Sequence, residues 1–208
     1  MIRFLLVLIA LFSISINTYG QFKVSENNRF ILRDGKPFFW LGDTAWELFH
    51  RLSTKEATYY FQKRSEQGFT VIQAVALAEL DGLHSPNANG DLPLLNDNPA
   101  QPNEKYFAHV DSLIDIAHSY GLTIALLPTW GDKVDKASWG VGPEIFSAGN
   151  IYAYGKWIGA RYAKKKNVIW IMGGDRNPKN EAQISIWNSL AKGVVEGVGG
   201  NEHALMSF

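Results

Sequence analysis

Four short segments of the 208-residue chain hold the residues whose types and spacing could do chemistry. They are Gly42-Asp43-Thr44-Ala45-Trp46-Glu47, Ala78-Glu79-Leu80-Asp81, Pro128-Thr129-Trp130-Gly131-Asp132-Lys133 and Gly173-Gly174-Asp175-Arg176-Asn177-Pro178. Each follows an apolar run. Carboxylates beside tryptophans suit sugar recognition, because carboxylates accept from hydroxyls while an indole covers the C–H face of a ring. Asp175 is the sharpest candidate. Cleaving a glycosidic bond takes a protonated carboxylic acid beside the leaving oxygen and a second carboxylate as nucleophile or base. A carboxyl in a partly desolvated, tryptophan-lined cleft has its pKa raised and stays protonated for that task. Gly173 and Gly174 would leave room for a ligand to approach the backbone. The same motif also reads as a turn cap ahead of Asn177-Pro178, and alone it does not decide. Asp43 has a similar alternative, since Asp-Thr after a strand often caps a turn. Gln73 sits inside an apolar run, where an amide without partners costs ~1–3 kcal/mol. A bond to substrate, to Asp175 or to the scaffold would each satisfy it. Asp175 is thus the catalytic candidate, and Asp43, Trp46, Gln73, Glu79, Trp130, Asp132 and Arg176 are the candidate substrate contacts.

Other chemistries find less support. His109 and His118 are nine apart on one predicted helix, and His50, His84 and His203 are scattered without ligand spacing, so no metal site is expected. No Gly-x-Ser-x-Gly occurs for a serine nucleophile. No Gly-x-Gly-x-x-Gly follows the first strand for a dinucleotide. No cofactor is expected. Twenty basic residues balance twenty acidic ones, which leaves no electrostatic case for nucleic acid or an anionic membrane. The aromatic share is 13%, with seven tryptophans, which serves either a packed core or sugar faces.

The elements that must position these residues alternate as strand and helix. Phe22 to Phe39 reads as a small hairpin turning at Arg33-Asp34-Gly35-Lys36-Pro37. Phe38 to Leu41 reads as the first strand of a larger sheet. Ser53-Thr54-Lys55-Glu56 is a capping box opening a helix with Ala57, Tyr60 and Phe61 on one face, ended at Gly68. Val71 to Leu77 is the second strand, and Glu79 to Pro102 a long loop with four prolines. Asn103 to Tyr120 is a helix with Tyr106, Val110, Leu113, Ile114 and Ala117 on one stripe. Leu122 to Leu127 is the third strand and Pro128 to Ser147 another loop. Ile151, Tyr154 and Ile158 mark a third helix, ending in the cations Lys164-Lys165-Lys166. Val168 to Met172 is the fourth strand. Ile184, Trp187, Ala191 and Val194 mark a fourth helix ended by Gly199-Gly200, and His203 to Phe208 begins a fifth strand.

Continuous apolar strands joined through helices imply a parallel sheet buried on both faces. Polar and aromatic residues fall after the strands, where a (β/α)8 barrel builds its site. The expected fold is α/β, a barrel of this type truncated after about five strands, with an N-terminal hairpin. An open doubly wound sheet is the competing architecture. The barrel segment spans 21–208. Residues 1–20 read as a secretory signal: Arg3, an apolar stretch from Phe4 to Phe12, then a polar segment ending at Thr18-Tyr19-Gly20, with cleavage before Gln21. That stretch is shorter than the ~20 residues a spanning helix needs. Without cysteine there is no lipoprotein anchor and no disulfide. The chain is thus expected to be exported, to the periplasm or beyond, and to hold no membrane contact after cleavage.

Five runs together resemble the apiosidase-like family, barrel enzymes of glycoside hydrolase family 140 and related domains. They are Leu41 to Leu48, Val71 to Val75, Leu127 to Lys133, Trp139 to Glu144 and Ile169 to Arg176, in the family's order. The resemblance implies a retaining glycosidase acting on the apiose side chains of plant cell-wall pectin. It implies Asp175 as the acid/base, and a nucleophilic glutamate late in the barrel that this chain does not reach. A chain so truncated is expected to be inactive and poorly soluble by itself. The alternative is a carbohydrate-binding barrel fragment without catalysis.

Overall fold

The computed structural model describes residues 22–137, 140–174 and 177–208. Residues 1–20, read above as a signal, lie outside these, as do Ser138, Trp139, Asp175 and Arg176. The chain opens with three short antiparallel strands, β1 (Phe22–Val24), β2 (Ile31–Arg33) and β3 (Lys36–Phe38), in the order β1-β2-β3. The expected hairpin is therefore a three-stranded meander. Its second turn has only two central residues, Asp34 and Gly35, at φ 53° and 76°. A primed turn asks for that left-handed pair because its twist matches the flanking strands. Lys36 and Pro37, expected in the turn, belong to β3 instead.

Five parallel strands follow in strictly sequential order: β4 (Gly42–Thr44), β5 (Val71–Leu77), β6 (Thr123–Thr129), β7 (Val168–Ile171) and β8 (Met206–Ser207). A doubly wound sheet reverses strand order at its switch point. Sequential order instead puts every right-handed crossover on one face, as in a barrel wall. The helices are α1 (Leu48–Arg51), α2 (Thr54–Glu66), α3 (Glu104–Ser119), α4 (Ala148–Tyr162) and α5 (Glu181–Val198). Ile72, Ala74, Ala76, Ile124, Leu126 and Trp170 pack with the helices in one continuous buried cluster. Val75 and Leu127 point the other way and join Trp130 in a second cluster, as alternation along a strand requires. The second cluster is the barrel interior.

Local signals explain the boundaries. Ser53 caps α2 in a reciprocal box: its hydroxyl accepts from the Glu56 amide, and the Glu56 carboxylate accepts from the Ser53 amide at 2.9 Å. Ser147 and Asn150 form the same device at α4. Asn103 and Asn180 cap α3 and α5. All five stripe residues expected on α3 are fully buried. On α5, Trp187 and Val194 are buried with Leu190, but Ile184 is 36% exposed. The stripe there runs one turn later than expected.

The first strand of the sheet also lies later than the apolar run Phe38 to Leu41. Phe38 ends β3, Phe39 is 76% exposed, and β4 begins at Gly42. Its pairing is unambiguous: Gly42 faces Val71, Asp43 faces Ile72 and Thr44 faces Gln73. The short α1 had no signal in the sequence reading.

Buried tyrosines pin the strand ends that carry the site. The Tyr106 hydroxyl of α3 donates to the Ala76 carbonyl at 2.8 Å, and Tyr154 of α4 donates to Pro128 at 2.8 Å. Both phenols are fully buried, and that burial pushes their pKa values up, so they remain donors. Glycines set the α4–α5 approach. A Cβ on Gly155 would stand 2.7 Å from the Leu190 carbonyl, and one on Gly159 2.6 Å from that of Val194. Gly193 and Gly197 lie equally tight against Tyr152 and Lys156.

Candidate active site

The rim at the C-terminal ends of the parallel strands is built mainly from the loops after β4, β5 and β6. Beyond β4 the ladder continues: the Ala45 amide donates to the Gln73 carbonyl at 2.8 Å, and the Val75 amide to Trp46 at 3.3 Å. Trp130, the residue after β6, donates from its amide to the Leu77 carbonyl at 3.0 Å. Both tryptophans are thereby locked to β5 and meet over it, ring centroids 5.2 Å apart and tilted 52°. They cover Val75, Leu127 and Ile171. Trp46 is half-buried, while Trp130 is only 2% exposed, with its indole N–H unpartnered.

Gly174 sits against Trp130. A Cβ there would meet the indole at 3.1–3.3 Å, and one on Gly173 would meet the Phe208 ring at 2.7–3.0 Å. The space these glycines leave is therefore filled by aromatic rings, not held open for a ligand. Trp130 is thus enclosed between Gly174 and Trp46, with its indole N–H buried beneath the rim. Asp175 and Arg176, which follow in sequence, are outside the described residues.

The other candidates separate into three groups. Gln73 is half-buried on the interior face of β5, level with Thr44 and Ala125. Glu79 is half-buried two residues past the end of the same strand. These two lie near the tryptophan pair along β5. Asp43 does not. Lying within β4, it turns to the helix layer, where its carboxylate accepts from the Tyr60 hydroxyl at 2.7 Å and pairs with Arg64 of α2. Burial works against its charge, but Tyr60, Arg64 and the Thr44 amide together hold its pKa below the usual carboxylate value.

Asp132 is engaged differently. It is 1% exposed, and both its oxygens accept from the equally buried Lys133 ammonium, at 2.9 and 3.0 Å. One oxygen also accepts from the Gly142 amide at 2.9 Å and the Val141 amide at 3.2 Å. Lys133 donates onward to the carbonyls of Gly142 at 3.1 Å and Leu80 at 3.3 Å. The pair ties the loop after β6 to its own distal part and to the loop after β5. Such a buried pair must have its remaining valences filled, and here the backbone fills them. Sequence reasoning missed Lys133 because a lysine beside an aspartate looks like a solvated pair.

It also missed a cleft of about 450 Å³ between the loops after β4 and β5, walled by Glu47, His50, Arg51, Asp81, Ser85 and Asn87. No group of three or more metal-ligating side chains occurs among the described residues.

Comparison with known proteins decides what kind of rim this is. The model of the apiosidase-like catalytic domain matches residues 25–208. The chain belongs to the apiosidase-like family. Solved structures similar to this apiosidase-like chain include proteins described as glycoside hydrolases. A glycoside hydrolase family 5 protein from Bacteroides vulgatus ATCC 8482 is 30% identical over 90% of this chain and 38% of its own, with a TM-score of 0.76. A second glycoside hydrolase is also 30% identical, over 90% of this chain and 40% of its own, with a TM-score of 0.74. A family 5 mannosidase from Rhizomucor miehei shares the fold at 15% identity and a TM-score of 0.64. No curated protein matches the chain. The chain thus spans about 40% of the length of the first structures it matches. Both the family and the truncated barrel expected from sequence are borne out.

Proposed function

We propose that this chain supplies the acid/base side of an exported, retaining glycosidase that removes apiose side chains from plant cell-wall pectin. The observation that carries the reading is the Trp46–Trp130 pair fixed over β5 at the rim, within a chain matched by the apiosidase-like domain over 25–208. Asp175, which follows Gly174, would protonate the leaving oxygen. Trp46 would cover a sugar ring, and Gln73 and Glu79 would bond hydroxyls from β5. Arg176 would bind substrate from the same loop. A retaining mechanism needs a second carboxylate ~5–5.5 Å from the acid. Asp132 is bound to Lys133, and Glu144 accepts from the Lys136 amide at 2.7 Å. The resemblance puts the nucleophilic glutamate late in the barrel, so the chain alone is expected to bind without turnover.

The test is equilibrium binding of pectic oligosaccharides with and without apiose side chains, followed by an aryl apioside hydrolysis assay. Preferential binding of the apiose-bearing ligand supports the proposal, and indifference to apiose contradicts it. Hydrolysis by this chain alone would overturn the requirement for a further carboxylate.

A further inference from the structure

Among the described residues, five buried side-chain atoms lack a hydrogen-bond partner: His50 Nδ1, Asn87 Nδ2, Thr123 Oγ1, Trp130 Nε1 and Tyr162 Oη. Buried polar groups are almost always paired. Three of these exceptions belong to the C-terminal rim, and two, on His50 and Asn87, belong to residues lining the same 450 Å³ cleft. These residues come from different loops, and they are only 6% and 4% exposed. The cleft's size falls within the ~300–1,000 Å³ of small-molecule sites.

We infer that this cleft is a sugar subsite that holds a neutral, hydroxyl-bearing ring beside the tryptophan pair. The inference rests on the glycosidase reading above and extends it to a second ring of the substrate. Asn87 Oδ1 already accepts from the Asn89 and Asp91 amides at 2.9 and 3.0 Å, so its open valence is purely the amide N–H. Burial pushes the His50 pKa down, outweighing Glu47, so the imidazole is neutral and offers one donor and one acceptor. Glu47 and Asp81 supply carboxylate oxygens, so the cleft offers both donors and acceptors to the hydroxyls of a sugar ring.

Charge selects the class of sugar. Glu47 is paired with Arg51, and Asp81 with His84 at 3.0 Å. The cleft therefore presents no unopposed cation to pair with the carboxylate of an acidic ring. A uronic acid is disfavoured and a neutral sugar favoured.

The experiment is NMR titration of the chain with methyl glycosides of rhamnose, arabinose and galactose, with galacturonic acid as the charged control. The His50 ring, the Asn87 side-chain amide and the two indole N–H groups are read together. Shifts at His50 and Asn87 that saturate with a neutral glycoside, and that weaken at least fivefold in Asn87→Asp, support the subsite. That substitution keeps an oxygen for the loop bonds and replaces the open donor with a charged acceptor, which a hydroxyl acceptor of the ring cannot use. Movement of the indoles without His50 or Asn87 overturns the subsite and leaves the glycosidase reading standing. Silence at all four groups likewise overturns the subsite, while the glycosidase reading is decided by the apiose-bearing ligands. Tighter binding of galacturonic acid than of any neutral sugar overturns the assignment of class.

Discussion

Asp132 and Lys133 show how one contact decides what a polar residue is for. Both are buried, and each satisfies the other and a set of loop carbonyls and amides. Removing one partner of a buried pair leaves an uncompensated charge, so Asp132→Asn should destabilise the chain by ~3–5 kcal/mol in urea unfolding. Asp132→Asn with Lys133→Met should be milder than either single change, since no lone charge remains. A loss below ~1 kcal/mol for Asp132→Asn would show that the pair does not hold these loops. His84 makes a separate, pH-dependent tie. Its two ring nitrogens contact Asp81 at 3.0 Å and Asp97 at 2.9 Å, bracing the long loop after β5. The hydrogen bond with Asp97 raises its pKa; burial opposes it, and the hydrogen bond with Asp81 and the charges of both aspartates carry the net shift upward. A raised folded-state pKa means that the brace is complete below the unfolded value of ~6.5 and lost as pH climbs through the folded value. The ring is half-exposed, so the effect is small. Limited proteolysis of the 79–102 loop should accelerate as pH rises through that window in the wild type and stay flat in His84→Gln. At this scale the sequence showed which residues were polar but not which way they faced. A strand displaced from Phe38–Leu41 to Gly42–Thr44 placed Asp43 inside it rather than after it, and alternation turned the carboxylate to α2.

Between elements, the tightest packing comes from residues with no side chain. Gly155 and Gly159 on α4 and Gly193 and Gly197 on α5 recur at four-residue spacing, one turn apart, and let the two helix backbones touch. The signal was present in the sequence as two matched glycine pairs. It passed unread because helical glycine looks like a propensity defect until its partner helix is known. Gly193→Ala gains helix propensity of ~1 kcal/mol yet would force its Cβ against the Tyr152 carbonyl. Overpacking of this kind costs ~1–3 kcal/mol or more, so the expected outcome is net destabilisation and a lower Tm. An unchanged or raised Tm would mean that the helices separate freely. The capping boxes, by contrast, were legible in full at α2, because a cap is local: Ser53 and Glu56 need nothing beyond each other and the backbone. The strands β5 and β7 were equally plain, since both faces are covered and the apolar run coincides with the element. The start of β4 was not, because Gly42-Asp43-Thr44 carries no apolar pattern and is recognised only by its pairing with β5.

For the whole molecule, sequential parallel strands, a one-sided helix layer and the apiosidase-like match describe a (β/α)8-type barrel wall. The rim concentrates unpartnered donors and an indole pair where the fold places its chemistry. The central claim is that this rim binds sugar through Trp46 and its neighbours while Asp175 acts on the bond and not on affinity. Calorimetric titration with an apiose-bearing pectic oligosaccharide tests it directly, using wild type, Trp46→Ala and Asp175→Asn. The account predicts saturable binding to the wild type, affinity within about twofold for Asp175→Asn, and a loss of at least about tenfold, ~1.4 kcal/mol, for Trp46→Ala. No binding to the wild type, or an affinity untouched by Trp46→Ala, would contradict it.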